Sequence, residues 1–320
     1  MMHTVQPFKS DLKRLGTWGY LKKRILRHWQ LYLIILIPFV LLILFSYVPM
    51  YGVQIAFRDF RIRDGFWNSP WVGMKHFNQF FGTATFQRLI GNTISISLYS
   101  LIAGFPIPIL LALMLTEVSS RRFKKSVQMV TYAPHFISTV VMCSIIRLVI
   151  TSAPNGILNN LLVLLGAEGR IDFLAKPAYF QSIYVWSGIW QGMGFSSIIY
   201  LAALAGIDPS LHEAAIVDGA SKIRRIWHID IPGIMPTIVI LLILNFGSLM
   251  NVGHEKVLLL QNALNMPKSD IISTYVYRIG LEQAHFSFSA AVGLFNSVVN
   301  TVLLLAVNWI AGRLSETKLF

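Results

Sequence analysis

Polar and aromatic side chains recur at helical spacing inside the apolar stretches of this sequence. Two asparagines lie four residues apart in the last stretch, and two tryptophans lie four residues apart in an earlier one. An aromatic face packs against the C–H surface of a sugar, while amides pair with its hydroxyl groups. These residue types therefore predict a path for a saccharide. The candidate path residues are Trp186, Trp190, Gln191, Asn245, Ser248, Asn296 and Asn300.

The same residues also have a purely structural interpretation. Ser, Asn and Gly hold membrane helices together at closely packed faces, and the Gly188-x-x-x-Gly192 spacing fits that role here. Taken singly, each candidate suits helix packing; taken as a set, they favour the lining of a cavity.

Arg147 is the one basic residue well inside an apolar run. Its side chain either extends to the membrane interface, as long basic side chains do near helix ends, or meets an anionic substrate entering from outside. The second interpretation predicts an acidic saccharide. The sequence leaves both open.

The sequence lacks the motifs of an enzyme that hydrolyses ATP or holds zinc. It has no G-x-x-x-x-G-K-[ST] loop, and neither His212-Glu213 nor His254-Glu255 is followed by the second His of a zinc site. We therefore expect no catalytic residue, metal site or cofactor on this chain. If transport is driven by ATP, then ATP and Mg²⁺ bind a separate chain.

Composition places the candidate residues in a membrane. Hydrophobic residues make up 55% of the 320 positions and charged residues 13%, and the mean hydropathy is +0.60, whereas a soluble domain carries about 25% charge. Since a backbone in hydrocarbon must pair internally, we predict an all-α polytopic protein with six transmembrane helices. The predicted spans are Trp29–Pro49, Leu89–Thr116, Val127–Ile150, Tyr179–Gly206, Gly233–Val252 and Phe288–Ala311.

Basic residues set the predicted orientation. Lys and Arg are denser before the first span and in the second and fourth connections than in the three opposite loops, so both termini are predicted to be cytoplasmic. Segment 1–28 is predicted to be a basic amphipathic segment at the lipid surface, with a simple topology signal as the alternative. Residues 29–320 are predicted to form the transmembrane domain. The net charge of +13 does not indicate nucleic acid, because the basic residues flank apolar runs.

The loop 207–232, between the fourth and fifth spans, is unusually well specified. Asp208-Pro209 fits an N-cap followed by Pro at the first helical position. A glycine that can take a positive φ closes the helix, and two alanines leave room for another protein to approach its backbone. The predicted docking residues are Glu213, Ala214, Ala215, Asp218, Gly219, Ile229 and Pro232.

This pattern of Glu-Ala-Ala, three residues, Gly, nine residues, Ile, one residue, apolar, Pro resembles the coupling loop of permease subunits in binding-protein-dependent ABC importers. Runs such as Ser69-Pro70-Trp71-Val72-Gly73 and Thr274-Tyr275-Val276-Tyr277-Arg278 are similar to the oligosaccharide branch of that family, and to permeases of bacterial alginate importers. The resemblance implies a permease fold with a cytoplasmic coupling helix. It also implies a heterodimer with a second homologous permease, two ATPase subunits that bind ATP and Mg²⁺, an external solute-binding protein, and alternating access.

We therefore expect the transmembrane permease subunit of an ATP-driven ABC importer in a bacterial cytoplasmic (inner) membrane. It would move oligosaccharides, acidic and alginate-like ones included, from a solute-binding protein into the cytoplasm. An ATP-independent channel or secondary transporter is the alternative that the hydropathy also permits. A membrane-embedded enzyme fits less well, because the sequence shows no catalytic cluster.

Overall fold

The computed structural model describes Trp18, Lys22 and residues 25–314, and this part of the chain falls into two compact units. The first unit ends at Ile55 and the second begins at Ala56. The sequence places the boundary instead after residue 28. Most of segment 1–28 lies outside the described residues, so its amphipathic character stays a prediction.

The described chain is helical. Residues 25–314 contain no strand, and their β-type pairing is an isolated bridge between Arg58 and Trp71. The all-α prediction is confirmed. In chain order the helices are α1 (Trp29–Phe57), α2 (Gly65–Asn68), α3 (Lys75–Phe81), α4 (Ala84–Gly104), α5 (Pro106–Glu117), α6 (Arg121–Tyr132), α7 (Thr139–Ile150), α8 (Ile157–Leu164), α9 (Pro177–Ala205), α10 (Pro209–Val217), α11 (Lys222–Gly247), α12 (His254–Leu260), α13 (Met266–Ser269), α14 (Ile272–Tyr277) and α15 (Phe286–Leu314).

Among the described residues, five helical segments are long and apolar enough to cross a membrane: α1, α4 with α5, α9, α11 and α15. A sixth span exists if the bent pair of α6 and α7 counts as one. These segments match the six predicted spans, with ends that differ by several residues.

The third predicted span, Val127–Ile150, is two helices and not one. α6 continues as a 3₁₀ turn, and α7 then begins at an angle of 105° to it. Ile137 and Ser138 between them are extended, with ψ of 128° and 150°. Ser138 Oγ accepts a hydrogen bond from the Val141 N–H at 3.4 Å. Because an extended serine is a favoured N-cap, a new helix starts there in a new direction.

α9 lies at the centre of the second unit and packs against α4, α5, α6 and α11. Its close approach to α6 depends on Gly194, since a Cβ at this position would lie 2.1 Å from the Thr131 carbonyl oxygen. The His135 ring, just beyond α6, stacks on Phe195 of α9 with ring centroids 3.9 Å apart. A buried apolar cluster joins α5, α9 and α11; it consists of Ala112, Leu113, Tyr200, Leu204 and Ile234.

The connection between the fifth and sixth spans is a packed insertion and not an open loop. Asp270 is fully buried, and its carboxylate accepts hydrogen bonds from Arg278 at 2.9 and 3.1 Å and from Thr274 at 3.0 Å. The Asn92 side-chain amide of α4 donates to the backbone oxygens of Asp270 and Pro267, at 2.9 and 3.0 Å. These bonds satisfy buried polar groups and fasten the insertion to α4.

Candidate functional site

A cavity of about 520 Å³ with both polar and apolar groups in its wall lies between α4, α9, α11 and the segment that follows α11. Hydroxyl and amide groups on membrane-spanning helices are energetically costly unless they face water, protein or a substrate. A second cavity of about 310 Å³ adjoins it and shares part of its wall. The polar lining residues of the larger cavity are Ser97, Ser100, Tyr184, Ser196, Tyr200, Asn245, Ser248 and Asn251.

The two candidates from the fifth span lie in this lining. Asn245 is near the end of α11, and its side-chain amide donates to the Leu241 carbonyl at 2.7 Å. Ser248 follows that helix and donates to the Asn245 carbonyl at 3.1 Å. The structure thus brings Asn245 and Ser248 to one cavity wall.

The two candidates from the sixth span make a different contact. The side-chain amides of Asn296 and Asn300 both donate to the Asn251 side-chain oxygen at 3.0 Å. Asn300 also accepts a hydrogen bond from the Met250 N–H at 2.9 Å. Neither asparagine is among the residues that line the cavity. They hold the turn after α11 against α15, as the helix-packing interpretation expects.

The fourth-span candidates lie on two sides of α9. Trp186 and Trp190 are exposed on the single chain, and the Trp186 indole donates to the Tyr99 hydroxyl at 2.9 Å. Gln191 lines the smaller cavity, and its amide donates to the Ile137 carbonyl at 2.9 Å, at the bend before α7. The tryptophans therefore face outward from this chain.

Arg147 contacts neither the cavity nor an acidic group among the described residues. Its guanidinium donates a hydrogen bond to the Leu259 carbonyl in the last turn of α12. A cation at a helix C-terminus is favourable, because the terminal carbonyls carry partial negative charge. The structure thus adds an anchoring role to the two interpretations that the sequence leaves open.

Lys256, in α12, is a site residue that sequence reasoning missed. It is 8% exposed and lines the smaller cavity. Its ammonium donates to the Tyr184 carbonyl at 2.7 Å and lies 4.5 Å from the centroid of the Tyr184 ring. Burial lowers the pKa of Lys256 to about 8. The available signal was a lysine in front of an apolar run, Val257 to Leu260, that is too short for a span.

The loop 207–232 forms the short helix α10 with the predicted ends. Asp208 accepts a hydrogen bond from the Ser210 N–H at 3.0 Å, which holds the pKa of this carboxyl below its usual range. Gly219 has φ 74°, so the predicted positive φ is confirmed. Its N–H bonds the Ile216 carbonyl at 3.0 Å, and the Ala220 N–H bonds the Ala215 carbonyl at 2.8 Å. This pair of bonds is a Schellman motif.

The predicted docking residues are largely accessible on this chain. Glu213, Ala214, Asp218, Gly219 and Pro232 are exposed, whereas Ala215 and Ile229 are half-buried. Large apolar side chains around them are also exposed, which is unusual outside a membrane or an interface. They are Leu211, Ile216, Val217, Ile223 and Trp227.

A cluster of charged residues ties this loop to two spans. His212 of α10 lies 3.2 Å from the buried carboxylate of Asp230, the last residue of the π-helical segment Ile226–Asp230 within α11. Glu117, the last residue of α5, lies 3.6 Å from Lys222 and 3.7 Å from Arg225. The sequence pattern places Asp230 between two predicted docking residues, but only the fold shows its partner. A displacement of α10 would therefore act on α11 through His212. It would act on α5 only through the pairs that Lys222 and Arg225 of α11 make with Glu117.

The chain is similar to known proteins over most of its length. The family described as "Binding-protein-dependent transport system inner membrane component" matches residues 104–316. The polygalacturonan/rhamnogalacturonan transport system permease protein YteP of Bacillus subtilis (strain 168) is 42% identical over 297 residues, which are 93% of this chain and 92% of that protein.

Two solved structures are also similar. A chain of a bacterial ABC transporter involved in the import of the acidic polysaccharide alginate matches with a TM-score of 0.84 and 41% identity, covering 92% of this chain and 99% of that one. A chain of the bacterial alginate ABC transporter in complex with an alginate pentasaccharide-bound periplasmic protein matches with a TM-score of 0.84 and 40% identity, covering 93% and 99%.

Proposed function

Since the chain belongs to the family of binding-protein-dependent transport system inner membrane components, we propose that it is the permease subunit of an ATP-driven importer for acidic oligosaccharides. The observation that carries the saccharide proposal is the hydroxyl- and amide-lined cavity between α4, α9 and α11. Sugar hydroxyls need such donors and acceptors once they leave water. The acidic class is supported by the polygalacturonan and alginate systems to which relatives of this chain belong.

The path residues of this proposal are of two kinds. Asn245 and Ser248 meet the substrate directly, because they line the cavity. Trp186 and Trp190 face the second permease subunit, whose matching surface completes the path, with Gln191 beside the bend. Arg147, Asn296 and Asn300 do not meet the substrate in this proposal. They stabilise the segments around the cavity, Arg147 through α12 and the two asparagines through the turn after α11.

The remaining partners bind the two faces of the membrane domain, residues 29–320. Two ATPase subunits, which hold ATP and Mg²⁺, dock on loop 207–232 at the cytoplasmic face, where both chain termini also lie. A solute-binding protein docks at the outer face. The solved alginate transporter in complex with its periplasmic protein supports that arrangement, and the exposed apolar groups around α10 support the ATPase contact.

Alternating access follows from how the coupling loop is connected. When the ATPases close, they move α10, and the contact between His212 and Asp230 transmits this movement to α11. The ion pairs of Lys222 and Arg225 with Glu117 then transmit the movement to α5. Because the cavity lies between the spans that continue from these residues, their movement alternately exposes it to each side.

The proposal is tested by reconstituting the full transporter in vesicles with its solute-binding protein. Oligogalacturonate or alginate oligomers loaded on that protein should stimulate ATP hydrolysis and be taken up only when ATP is present. Uptake without ATP would instead identify a channel or secondary transporter. Stimulation by neutral oligomers alone would contradict the acidic class.

A charge reversal tests the docking face separately. Glu213→Lys should release the ATPase or uncouple hydrolysis from uptake, because it places a positive charge where the partner meets a carboxylate. Glu168→Lys, at an exposed glutamate in the predicted opposite loop, is the matched control for the charge change and should leave the ATPase bound. Wild-type uptake by Glu213→Lys with the ATPase still bound would contradict the role of that residue.

A further inference from the structure

Lys256 occupies an unusual place for a lysine. It lies on α12, in the insertion between the fifth and sixth spans, and is 8% exposed. The cavity that it lines holds about 310 Å³ and adjoins the larger one, since both include Ser100, Tyr184 and Ser196 in their walls. Its ammonium group is thus withdrawn from bulk water but adjacent to the proposed substrate path.

No carboxylate of the described chain pairs with this ammonium. It donates one hydrogen bond, to the Tyr184 carbonyl, and lies over the Tyr184 ring. An ammonium carries three donors, so two remain for other partners. A buried cation without an anion is unfavourable. The titratable groups near the ammonium do not supply a carboxylate within ion-pair distance. They are Cys143 and Arg147 of α7, Tyr184 of α9, and Glu255, which precedes Lys256 in the sequence.

The ammonium lies against the α9 backbone at a glycine, which leaves room for it there. A Cβ at Gly188 would lie 3.2 Å from Lys256 Nζ, closer than an ordinary van der Waals contact. Gly192, one turn further along α9, and Gln191 line the same cavity. An anionic group in this cavity could therefore reach the ammonium, with the Gln191 side chain in the same wall.

We propose that Lys256 selects for charge along the transport path by pairing with the carboxylate of a uronate unit. This role rests on the proposed function, because it requires that the substrate is an acidic saccharide. The carboxylate supplies the anion that the buried ammonium lacks in this chain. Sugar hydroxyls are bound by the neutral lining of the larger cavity.

A structural role is the competing explanation. Lys256 would then simply tether α12 to α9 through the Tyr184 carbonyl, as Arg147 tethers the other end of α12 to α7. A tether and a charge selector respond differently to substitution and to pH, and these two responses decide between them.

The first test compares lysine variants in the reconstituted transporter, with oligogalacturonate or alginate oligomers as the probe. Lys256→Met should lower kcat/KM for uptake by about tenfold or more, whereas Lys256→Arg should stay within about threefold of wild type, because it keeps the charge. Lys268→Met, at an exposed lysine in the same insertion, is the control and should leave uptake unchanged.

The second test uses pH. With a pKa of about 8, Lys256 is about nine-tenths protonated at pH 7 and about one-tenth protonated at pH 9. The charge that binds a carboxylate is therefore present below pH 8 and lost above it. Since kcat/KM reports ionisations of the free protein, the ratio of wild-type to Lys256→Arg uptake should fall about tenfold from pH 7 to pH 9. The ratio cancels titrations in the other subunits.

Each other outcome overturns the proposal. Wild-type uptake by Lys256→Met would show that the charge of Lys256 does not contribute to uptake of the acidic substrate. Equal loss in the Met and Arg variants, with a lower melting temperature, would identify a tether, and so would a ratio independent of pH. If the wild-type transporter takes up neutral oligomers alone, the proposed substrate class fails as well, and that result is recognised without any variant.

Discussion

The turn that ends the coupling helix can be perturbed through its backbone alone. Gly219 has φ 74°, in the left-handed region, and closes the Schellman motif at the end of α10. A Cβ placed at Gly219 would meet no heavy atom within 4 Å. A substitution here therefore changes the conformational preference of the turn and no packing contact.

The size of the effect follows from that preference. The left-handed conformation costs an ordinary L-residue about 1–2 kcal/mol, while Asn tolerates it better and β-branched residues tolerate it least. A destabilisation of this size changes an equilibrium constant by a factor of about 5–30. α10 has nine residues and an exposed surface, so little else holds the turn closed. We expect its stability to decrease in the order Gly, Asn, Ala, Val at position 219.

Two measurements report on the turn and on its function. Hydrogen exchange at the Ala220 amide should accelerate by about 5–30-fold in Gly219→Val, because that amide loses its bond to the Ala215 carbonyl. Uptake per ATP hydrolysed should fall in the same order as exchange protection. Gly169→Val is the control, since Gly169 has open space around its Cβ and a φ outside the left-handed region.

The reasoning is refuted if Gly219→Val keeps both the amide protection and the coupling of the wild type. It is also refuted if Gly219→Asn falls as low as Gly219→Val, because a backbone preference would separate the two. Normal turn protection with lost coupling would point instead to a direct contact of Gly219 with the ATPase.

Three further substitutions have definite expectations. Asn300→Leu removes the acceptor of the buried Met250 N–H, which should destabilise the protein by about 1–3 kcal/mol. The purified protein should then have a lower melting temperature and assemble less well. Impaired transport in an intact, equally stable complex would instead place Asn300 on the path. Gly194→Ala puts a Cβ 2.1 Å from the Thr131 carbonyl oxygen. The peak of folded protein in size-exclusion chromatography should therefore be largely lost. A normal elution profile would contradict the contact between α6 and α9. Asp208→Ala deletes the N-cap of α10, costing about 1 kcal/mol; exchange at the Ser210 amide should quicken, and unchanged exchange would count against the cap.

Local sequence was enough for the helical class, the number of spans and the ends of the coupling helix. Hydropathy acts on each segment separately, because every backbone group in hydrocarbon must pair within its own helix. The Asp208 cap and the positive φ of Gly219 are likewise set by neighbours in sequence. Such features need no knowledge of the rest of the chain.

The bend in the third span was harder to foresee, although its signals are also local. Apolar residues resume after Ser138 and Thr139, so hydropathy predicts one helix where the structure has two at 105°. The serine cap prevails because its hydrogen bond starts a new helix, and the stacking of His135 on Phe195 stabilises the bend from another span.

The roles of the polar residues were decided only by tertiary structure. Asn296 and Asn300 meet Asn251 across 45 and 49 residues of chain, and Arg147 meets Leu259 across 112. Lys256 acquires its lowered pKa from burial that its own helix does not provide. A periodic pattern shows which side chains share a face, but partners, burial and cavities depend on which other segments pack against that face, and packing is a property of the folded chain as a whole.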